Sequence, residues 1–382
     1  RCDADAWRSR NPEGRISRAG NLSIALEPDR PNLPKALQSA GYRTGMIQTN
    51  TNLQPRWGFE AHYDYARYPF RADAVDATDD ALAFMQDSGE PFFLYLHYFD
   101  PHDPYAPTTA PEPMRRRPAG VSRAVEQFIK ESHVQLTLDL AYLRLGLRTE
   151  RQTPVLRPNA RAYARQLYDA ETVDADRELG RLLAWVDANA PNTIVVVAGD
   201  HGEEFWEHGA VNHGQTAFSE VSRVPMVIYV PAIGHRKVST PVSGVDVLPT
   251  ICEAVGVDAP PHQGRSLLAP GLEGQPVFTE AGTFMRDAPV DFTAVVEGDW
   301  RYIFERRSGT HALYNIADDP LEQNNLTEAE PERADRMRAM IMRFHEECAA
   351  HPARQPEPER VIMDPELVAE LEAMGYLGPP LR

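Results

Sequence analysis

The sequence predicts an α/β fold in which a mostly parallel central sheet is sandwiched by helices, followed by a small C-terminal α+β subdomain. Three observations predict it. Amphipathic helical patterns alternate with short apolar runs from about residue 33 to residue 255. One of those runs, Thr193-Ile194-Val195-Val196-Val197-Ala198, is β-branched and unalternated, the composition of a strand buried on both faces. After about residue 287 the pattern changes to hairpin-like segments.

The first helix opens at Pro34 with Leu33, Leu37 and Ala40 on one face, and Gly41 is suited to the left-handed cap that ends it. A strand is predicted over residues 44–49, an amphipathic helix over 72–87 and an apolar strand over 92–98. A helix over about 160–186 leads into the strand ending at Ala198, Met226-Val227-Ile228-Tyr229-Val230 repeats that strand, and residues 245–255 add a helix. Between them, residues 105–157 read as an insertion: a loop rich in Pro and Arg, then a helical stretch over 125–147. The C-terminal part reads as two strands, 292–297 and 300–306, a polar helix over 331–349, a Pro-rich linker over 351–358 and a short helix over 365–374. The expected division is a catalytic α/β domain over 1–286 and a subdomain over 287–382.

Composition narrows the function classes. With 39 basic and 56 acidic residues the formal charge is -17, a field that repels phosphate backbones and argues against nucleic acid as partner. The cysteines, Cys2, Cys252 and Cys348, are too scattered for a disulfide framework or a thiolate metal site. No apolar run approaches the roughly 18 residues of a spanning helix, so a soluble chain is expected, cytoplasmic or periplasmic and secreted alike. Oligomeric state is left open.

Two loops carry candidate chemistry. His97-Tyr98-Phe99-Asp100-Pro101-His102-Asp103-Pro104-Tyr105 leaves the predicted strand 92–98, and Asp200-His201-Gly202-Glu203-Glu204 leaves the strand ending at Ala198, with His208 and His213 close behind. Ligands of open parallel sheets bind beyond the carboxyl ends of strands. Asp200 and His201 offer a hard oxygen and an imidazole nitrogen to one divalent cation, and Gly202 lets the backbone turn tightly beside them. Glu203, Glu204 and Glu207 stand open between supporting these groups and solvating the loop. Trp57, Phe59, Tyr63 and Tyr65 read as core or pocket wall, Arg115 to Arg117 as a solvated loop, and Asp246 as a helix N-cap.

The run from Phe92 to Tyr105 resembles the central motif of the sulfatase family, within the alkaline-phosphatase-like superfamily, and so does Ala198-Gly199-Asp200-His201-Gly202-Glu203-Glu204-Phe205-Trp206-Glu207-His208-Gly209. The stretch from His213 to Pro225, the corner Gly41-Tyr42-Arg43-Thr44, the helix Val245-Asp246-Val247-Leu248-Pro249-Thr250 and the segment from Leu313 to Leu326 extend the likeness in order from about residue 32. The resemblance implies a metal-dependent sulfuric ester hydrolase acting on a small sulfated or phosphorylated substrate. It implies Ca2+, with Mn2+ or Mg2+ as alternatives, held in part by Asp200 and His201. It makes His102 a contact to the sulfate oxygens, places His213 near the leaving group, and brings His97 and Asp100 to the substrate side.

Two departures qualify the resemblance. The family's lysine near His213 or Gly214 has no counterpart, since the chain has only Lys35, Lys130 and Lys237. The paired aspartates and the Cys/Ser-x-Pro-x-Arg motif, whose first residue becomes the formylglycine nucleophile, are also missing; Cys2 is followed by Asp-Ala-Asp-Ala. The expectation is a chain lacking its N-terminal portion, inactive as written and weak in Ca2+ binding. A phosphodiesterase or phosphonate hydrolase of the same superfamily, and a non-catalytic homologue that binds an anion or a partner, stand as alternatives.

Overall fold

A computed structural model describes residues 30–50, 53, 58–69, 72–89, 91–131, 157–234, 237–272, 274–283 and 290–350. The chain divides into two compact units at the Pro191–Asn192 link.

In the first unit α1 (Leu33–Ser39) starts at Asn32, whose side chain accepts the Lys35 N–H at 3.0 Å, and stops ahead of Gly41 at φ +89°. Then follow β1 (Arg43–Ile47), a 3-10 turn (Glu60–His62), β2 (Tyr65–Arg67), α2 (Ala74–Ser88) and β3 (Phe92–Leu96). The sheet is parallel in the order β2-β1-β3, with Arg43 beside Phe92 and Ile47 beside Leu96. α2 is the crossover that a parallel β1/β3 pair requires. Its Phe84 ring lies over Gly45, where a Cβ would come within 2.5 Å of it. α3 (Glu112–Arg115), α4 (Arg123–Glu131) and α5 (Pro158–Asn189) complete the unit. α5 buries Tyr163, Ala164, Leu167 and Ala170, apolar residues at helical spacing. Tyr63 stacks on Phe93 and Tyr65 tilts against Phe84, so both serve as packing; Trp57 lies outside the described residues. Arg115 and Arg117 are tied locally, to the Ala110 carbonyl and to Glu126.

The second unit opens with β4 (Val195–Ala198), a two-residue-a-side hairpin of β5 (Glu204–Phe205) and β6 (Val211–Asn212), the one-turn α6 (Ser219–Ser222) and β7 (Met226–Tyr229). β4 and β7 pair antiparallel, with Val195 opposite Tyr229. This corrects the expectation that both continue a parallel sheet. The stretch between them is a hairpin and one helical turn, not a crossover helix, and it returns the chain in the opposite sense. Nor is the pair buried on both faces: Val227 and Tyr229 are 61% and 51% exposed. After α7 (Val247–Val255) come β8 (Val277–Thr283), β9 (Val290–Glu297), β10 (Trp300–Glu305), β11 (His311–Asn315) and α8 (Pro331–Ala350). The four strands form one antiparallel sheet in the order β11-β10-β9-β8. Val295, Tyr302, Leu313, Met337 and Ile341 make its core with α8. Asp246 does not cap α7 through its side chain; it accepts the Ser243 and Arg265 N–H groups and locks the preceding turn.

Residues 132–156 and 351–382 lie outside the described residues, and with them most of the helix predicted over 125–147, the linker and the last helix. Among the described residues no helix is long and apolar enough to cross a membrane.

Candidate functional site

The first loop continues the parallel ladder before it turns away. The His97 N–H donates to the Ile47 carbonyl at 2.9 Å, and the ring nitrogen Nδ1 lies 3.2 Å from Thr49 Oγ1. Asp100 then turns inward. Its Oδ2 accepts the Ala74 N–H at 2.8 Å, placing a carboxylate at the positive end of α2. Burial outweighs that bond and pushes the Asp100 carboxyl up to about 6. The Asp100–Pro101 and Asp103–Pro104 peptides are cis. His102 stacks on Phe99 at 4.3 Å, with Nδ1 2.6 Å from the Asp103 carbonyl.

Carboxylates of α5 clamp the rest of this loop. Glu171 accepts the Ala106 N–H, and Asp174 accepts the Thr108 N–H at 2.7 Å and the Thr109 hydroxyl at 2.5 Å. Burial, reinforced by the charges of Asp100, Asp174 and Asp103, pushes Glu171 up to about 9, so it carries a proton at neutral pH. A cavity of about 20 Å³ bounded by Asp73, Asp100, Thr108, Asp174 and Glu178 has room for roughly one water, not a substrate.

The second loop, in the second unit, exposes Asp200 and His201. Asp200 Oδ1 accepts the His201 N–H at 2.9 Å, and Asp200 Oδ2 lies 3.8 Å from His201 Nε2. The side chains are 66% and 38% exposed. Oxygen and nitrogen ligands sit about 2.0–2.6 Å from a divalent cation, so two donors 3.8 Å apart can share one ion. His213 joins this pair: its ring stacks on His201 at 4.0 Å, and its Nδ1 lies 3.1 Å from Oε1 of the buried Glu203. Gly202 is required where it stands, because a Cβ there would come within 2.1 Å of the Glu220 carbonyl.

Among the described residues, the group of three metal-ligating side chains with donor atoms within 4.8 Å of one another is Glu204, His208 and Glu220, not the Asp200 pair. Its donors are already used. Glu204 accepts the Ala210 N–H at 2.7 Å, the His208 N–H at 3.2 Å and the Thr216 hydroxyl at 3.1 Å, and burial raises its carboxyl. His208 Nδ1 is 2.5 Å from Glu220 Oε1, and its ring lies flat on Phe218 at 3.6 Å. Burial lowers the His208 imidazolium, but the bond to Glu220 and its charge outweigh burial and hold it above its ordinary value. This group is a hydrogen-bonded strut, closed to a cation by its own internal bonds.

Of the residues singled out from sequence, the structure brings His201, His213 and Asp200 together in one unit, and Asp100 and His102 into one clamped loop in the other. His97 stays on the sheet. Glu171, Asp174 and Arg301 lie outside every motif, and Glu220 and Glu322 lie inside matched segments without being singled out; only the i, i+3, i+7 spacing of Glu171, Asp174 and Glu178 on one helical face hints at a shared task.

Fold and loop chemistry define the class: an α/β protein that presents carboxylates and imidazoles at strand ends. The chain belongs to the sulfatase family, whose model matches residues 8–257. The match starts ahead of residue 32, where the resemblance read from the sequence begins, and so corrects that expectation. A choline-sulfatase of Rhizobium meliloti is 27% identical over 298 residues, 72% of this chain and 56% of that protein. The chain spans about half the length of the first curated relatives it matches. The solved structure of BT4656 in complex with its substrate D-glucosamine-2-N,6-O-disulfate superposes with a TM-score of 0.62 at 19% identity, covering 88% of this chain and 86% of that one. The phosphonate monoester hydrolase SpPMH from Silicibacter pomeroyi also reaches 0.62 at 19% identity, covering 87% and 83%.

Proposed function

We propose that this chain carries the cation and leaving-group side of a metal-dependent sulfuric ester hydrolase acting on a small sulfated substrate. The observation that carries the reading is the trio Asp200, His201 and His213, with the two rings stacked at 4.0 Å and the buried Glu203 behind His213. Asp200 and His201 hold the divalent cation, Ca2+ in first place and Mn2+ or Mg2+ as alternatives; when bound, it compensates charge on the sulfate oxygens. With Nδ1–H given to Glu203, Nε2 is the nitrogen left to act, and from the imidazolium form it passes its proton to the departing oxygen and is left neutral. The roles of the first loop are proposed for that loop by itself: His102 donates to the oxygens of an anion, His97 supports from the sheet, and Asp100 acts through the loop it anchors to α2.

The nucleophile is not among these roles, since the sequence contains no Cys/Ser-x-Pro-x-Arg motif. We propose that these 382 residues alone do not turn over sulfate esters and bind Ca2+ weakly. The catalytic domain is assigned to residues 1–286 and the subdomain to 287–382, although the sheet of the latter begins with β8 at Val277. The charge of -17 disfavours long polyanionic substrates.

The test is turnover of p-nitrophenyl sulfate and of a p-nitrophenyl phosphonate monoester by the product of the native gene, with Ca2+ and with chelator. Faster sulfate hydrolysis that chelation abolishes, and a kcat about 10²-fold lower in His213→Ala, support the reading. Preference for the phosphonate moves the chain to phosphoryl chemistry, a reading that the likeness to SpPMH keeps in view as fold alone. Absence of turnover and of Ca2+ binding by the native product leaves a non-catalytic homologue.

A further inference from the structure

We infer that Glu322 is a positioning residue for the Asp200–His201 loop, acting on it through α6; the inference rests on the metal reading of that loop. Glu322 lies after β11, 103 positions from the helix it grips. It is 1% exposed and sits at φ +53°, a left-handed conformation that a long side chain adopts only when its surroundings enforce it. What enforces it is visible. Oε2 accepts the Ser219 N–H at 2.9 Å, Oε1 accepts the Ser219 hydroxyl at 2.8 Å, and Arg301 Nε lies 3.2 Å from Oε1. The same guanidinium donates through Nη2 to the Ala217 carbonyl and to Ser222 Oγ. One buried ion pair therefore holds both ends of α6.

The other side of α6 bears directly on the ligand loop. The Val221 carbonyl accepts the Gly202 N–H at 2.7 Å, and the Glu220 carbonyl fills the space a Cβ on residue 202 would need. Glu220 Oε1 binds His208 Nδ1, and His208 Nε2 lies 3.2 Å from the Glu322 carbonyl, which closes the circuit. Gly202 immediately follows His201. A shift of α6 by a fraction of an ångström has no slack to absorb it at Gly202, so it passes to the His201 ring and to the His213 ring stacked on it. A buried ion pair that served stability alone would need neither the strained backbone nor this backbone-to-backbone approach.

The experiment is hydrogen exchange read by mass spectrometry on the full chain, for wild type, Glu322→Gln and Asp291→Asn. Asp291 pairs with Arg306 at 2.7 Å in the same unit, so D291N controls for general loosening. The expected result is about tenfold faster exchange of peptides covering residues 199–213 in E322Q, and wild-type rates there in D291N. Rates within twofold of wild type over 199–213 in E322Q, with acceleration confined to residues 217–222, overturn the inference. Should E322Q fail to fold, Ser219→Ala removes one donor to the same carboxylate and is judged by the same criterion. Calorimetry with Ca2+ separates the two readings. If Asp200→Asn weakens Ca2+ binding and E322Q leaves it at wild-type affinity with unchanged exchange, the Glu322 role falls alone. If D200N binds Ca2+ as wild type does, the metal reading falls, and the exchange result by itself still supports or overturns Glu322.

Discussion

The loop that carries His102 and the loop that carries His201 have the same plan in sequence, an apolar strand followed by Asp and His, yet they are held by opposite means. Around His102 the carboxylates lie close to one another: Asp100, Glu171 and Asp174 grip backbone N–H groups, Asp174 also takes the Thr109 hydroxyl, and the buried Asp103 lies 3.4 Å from His102 Nδ1. Around His201 each supporting carboxylate has a basic or hydroxyl partner: Glu203 with His213, Glu220 with His208, Glu322 with Arg301 and Ser219. Burial and neighbouring charge raise the Glu171 and Asp100 carboxyls, so the first loop is tied to proton uptake and the second to ion pairing. The difference teaches that similar sequence motifs do not imply similar scaffolding, and it makes the two loops separable by experiment.

The largest separation is expected with pH. Glu171 has a folded-state value of about 9 against an ordinary value of 4.5, so the stability linked to it is complete below about pH 4.5 and is lost as pH rises toward 9. One pH unit within that window costs about 1.4 kcal/mol. Glu171→Gln removes the slope. Denaturant melts at pH 5 and pH 8 should show the variant gaining on wild type by on the order of 4 kcal/mol across the interval. Parallel pH curves would mean that Glu171 is solvated and that the first loop is not a proton-linked clamp. Ca2+ affinity at fixed pH should not change.

Next in size is Gly202→Ala, which attacks the second loop alone. The added Cβ would meet the Glu220 carbonyl at 2.1 Å, a backbone atom with no rotamer by which to escape. Overpacking of this kind should cost about 3 kcal/mol. Thermal melts check the stability and calorimetry the Ca2+ affinity, which should fall in the same variant. A stable G202A with wild-type Ca2+ binding would show that the loop and α6 part without consequence.

How much of this was legible in the sequence follows the same division. Periodicity announces most elements and Gly41 the end of α1; the Asn32 and Asp73 caps and the turn at Gly298, φ +58°, between β9 and β10 are found in the structure. The strand Val277–Thr283 was not legible, because it carries a charge and a glycine and owes its pairing to β9. Strand direction was not legible either. Val195–Ala198 and Met226–Tyr229 have the composition of parallel core strands, and only the short return between them makes the pair antiparallel. In the site, Asp200, His201 and His213 stand out because histidines are few, 12 in 382 residues. Glu203 stands out only with two readings open, and Glu220 and Glu322 not at all in a chain with 56 acidic residues, since burial is a tertiary property that a carboxylate does not advertise.

Asp174→Asn returns to the first loop with a smaller effect. Its carboxylate accepts the N–H groups of Thr108 and Thr109 and the Thr109 hydroxyl. The amide keeps one acceptor oxygen and brings an NH2 group toward donors. The expected loss is about 2 kcal/mol, the range for hydrogen bonds to a buried charge. Exchange at the Thr108 and Thr109 amides should accelerate while residues 199–213 keep their wild-type rates. Acceleration in both loops would break the comparison, because it would show that the two supports are one.

The smallest effect is expected at Glu220. With the His208 imidazolium held above its ordinary value, the stability it contributes is complete below about pH 6.5 and is lost as pH rises through the raised folded-state value. Glu220→Gln keeps the shape of the contact and removes the charge. The variant should therefore trail wild type by about 1–2 kcal/mol at pH 6, and the gap should close as pH rises through the raised folded-state value, in melts across that range. This window opens at about pH 6.5, the ordinary imidazole value, whereas the Glu171 slope is already under way at pH 5. Convergence at high pH identifies the His208–Glu220 bond as an ion pair in the working protein. A constant gap across that range identifies it as a neutral hydrogen bond, and the contrast between a protonated clamp in one loop and paired charges in the other would then reduce to Arg301 and Glu322 alone.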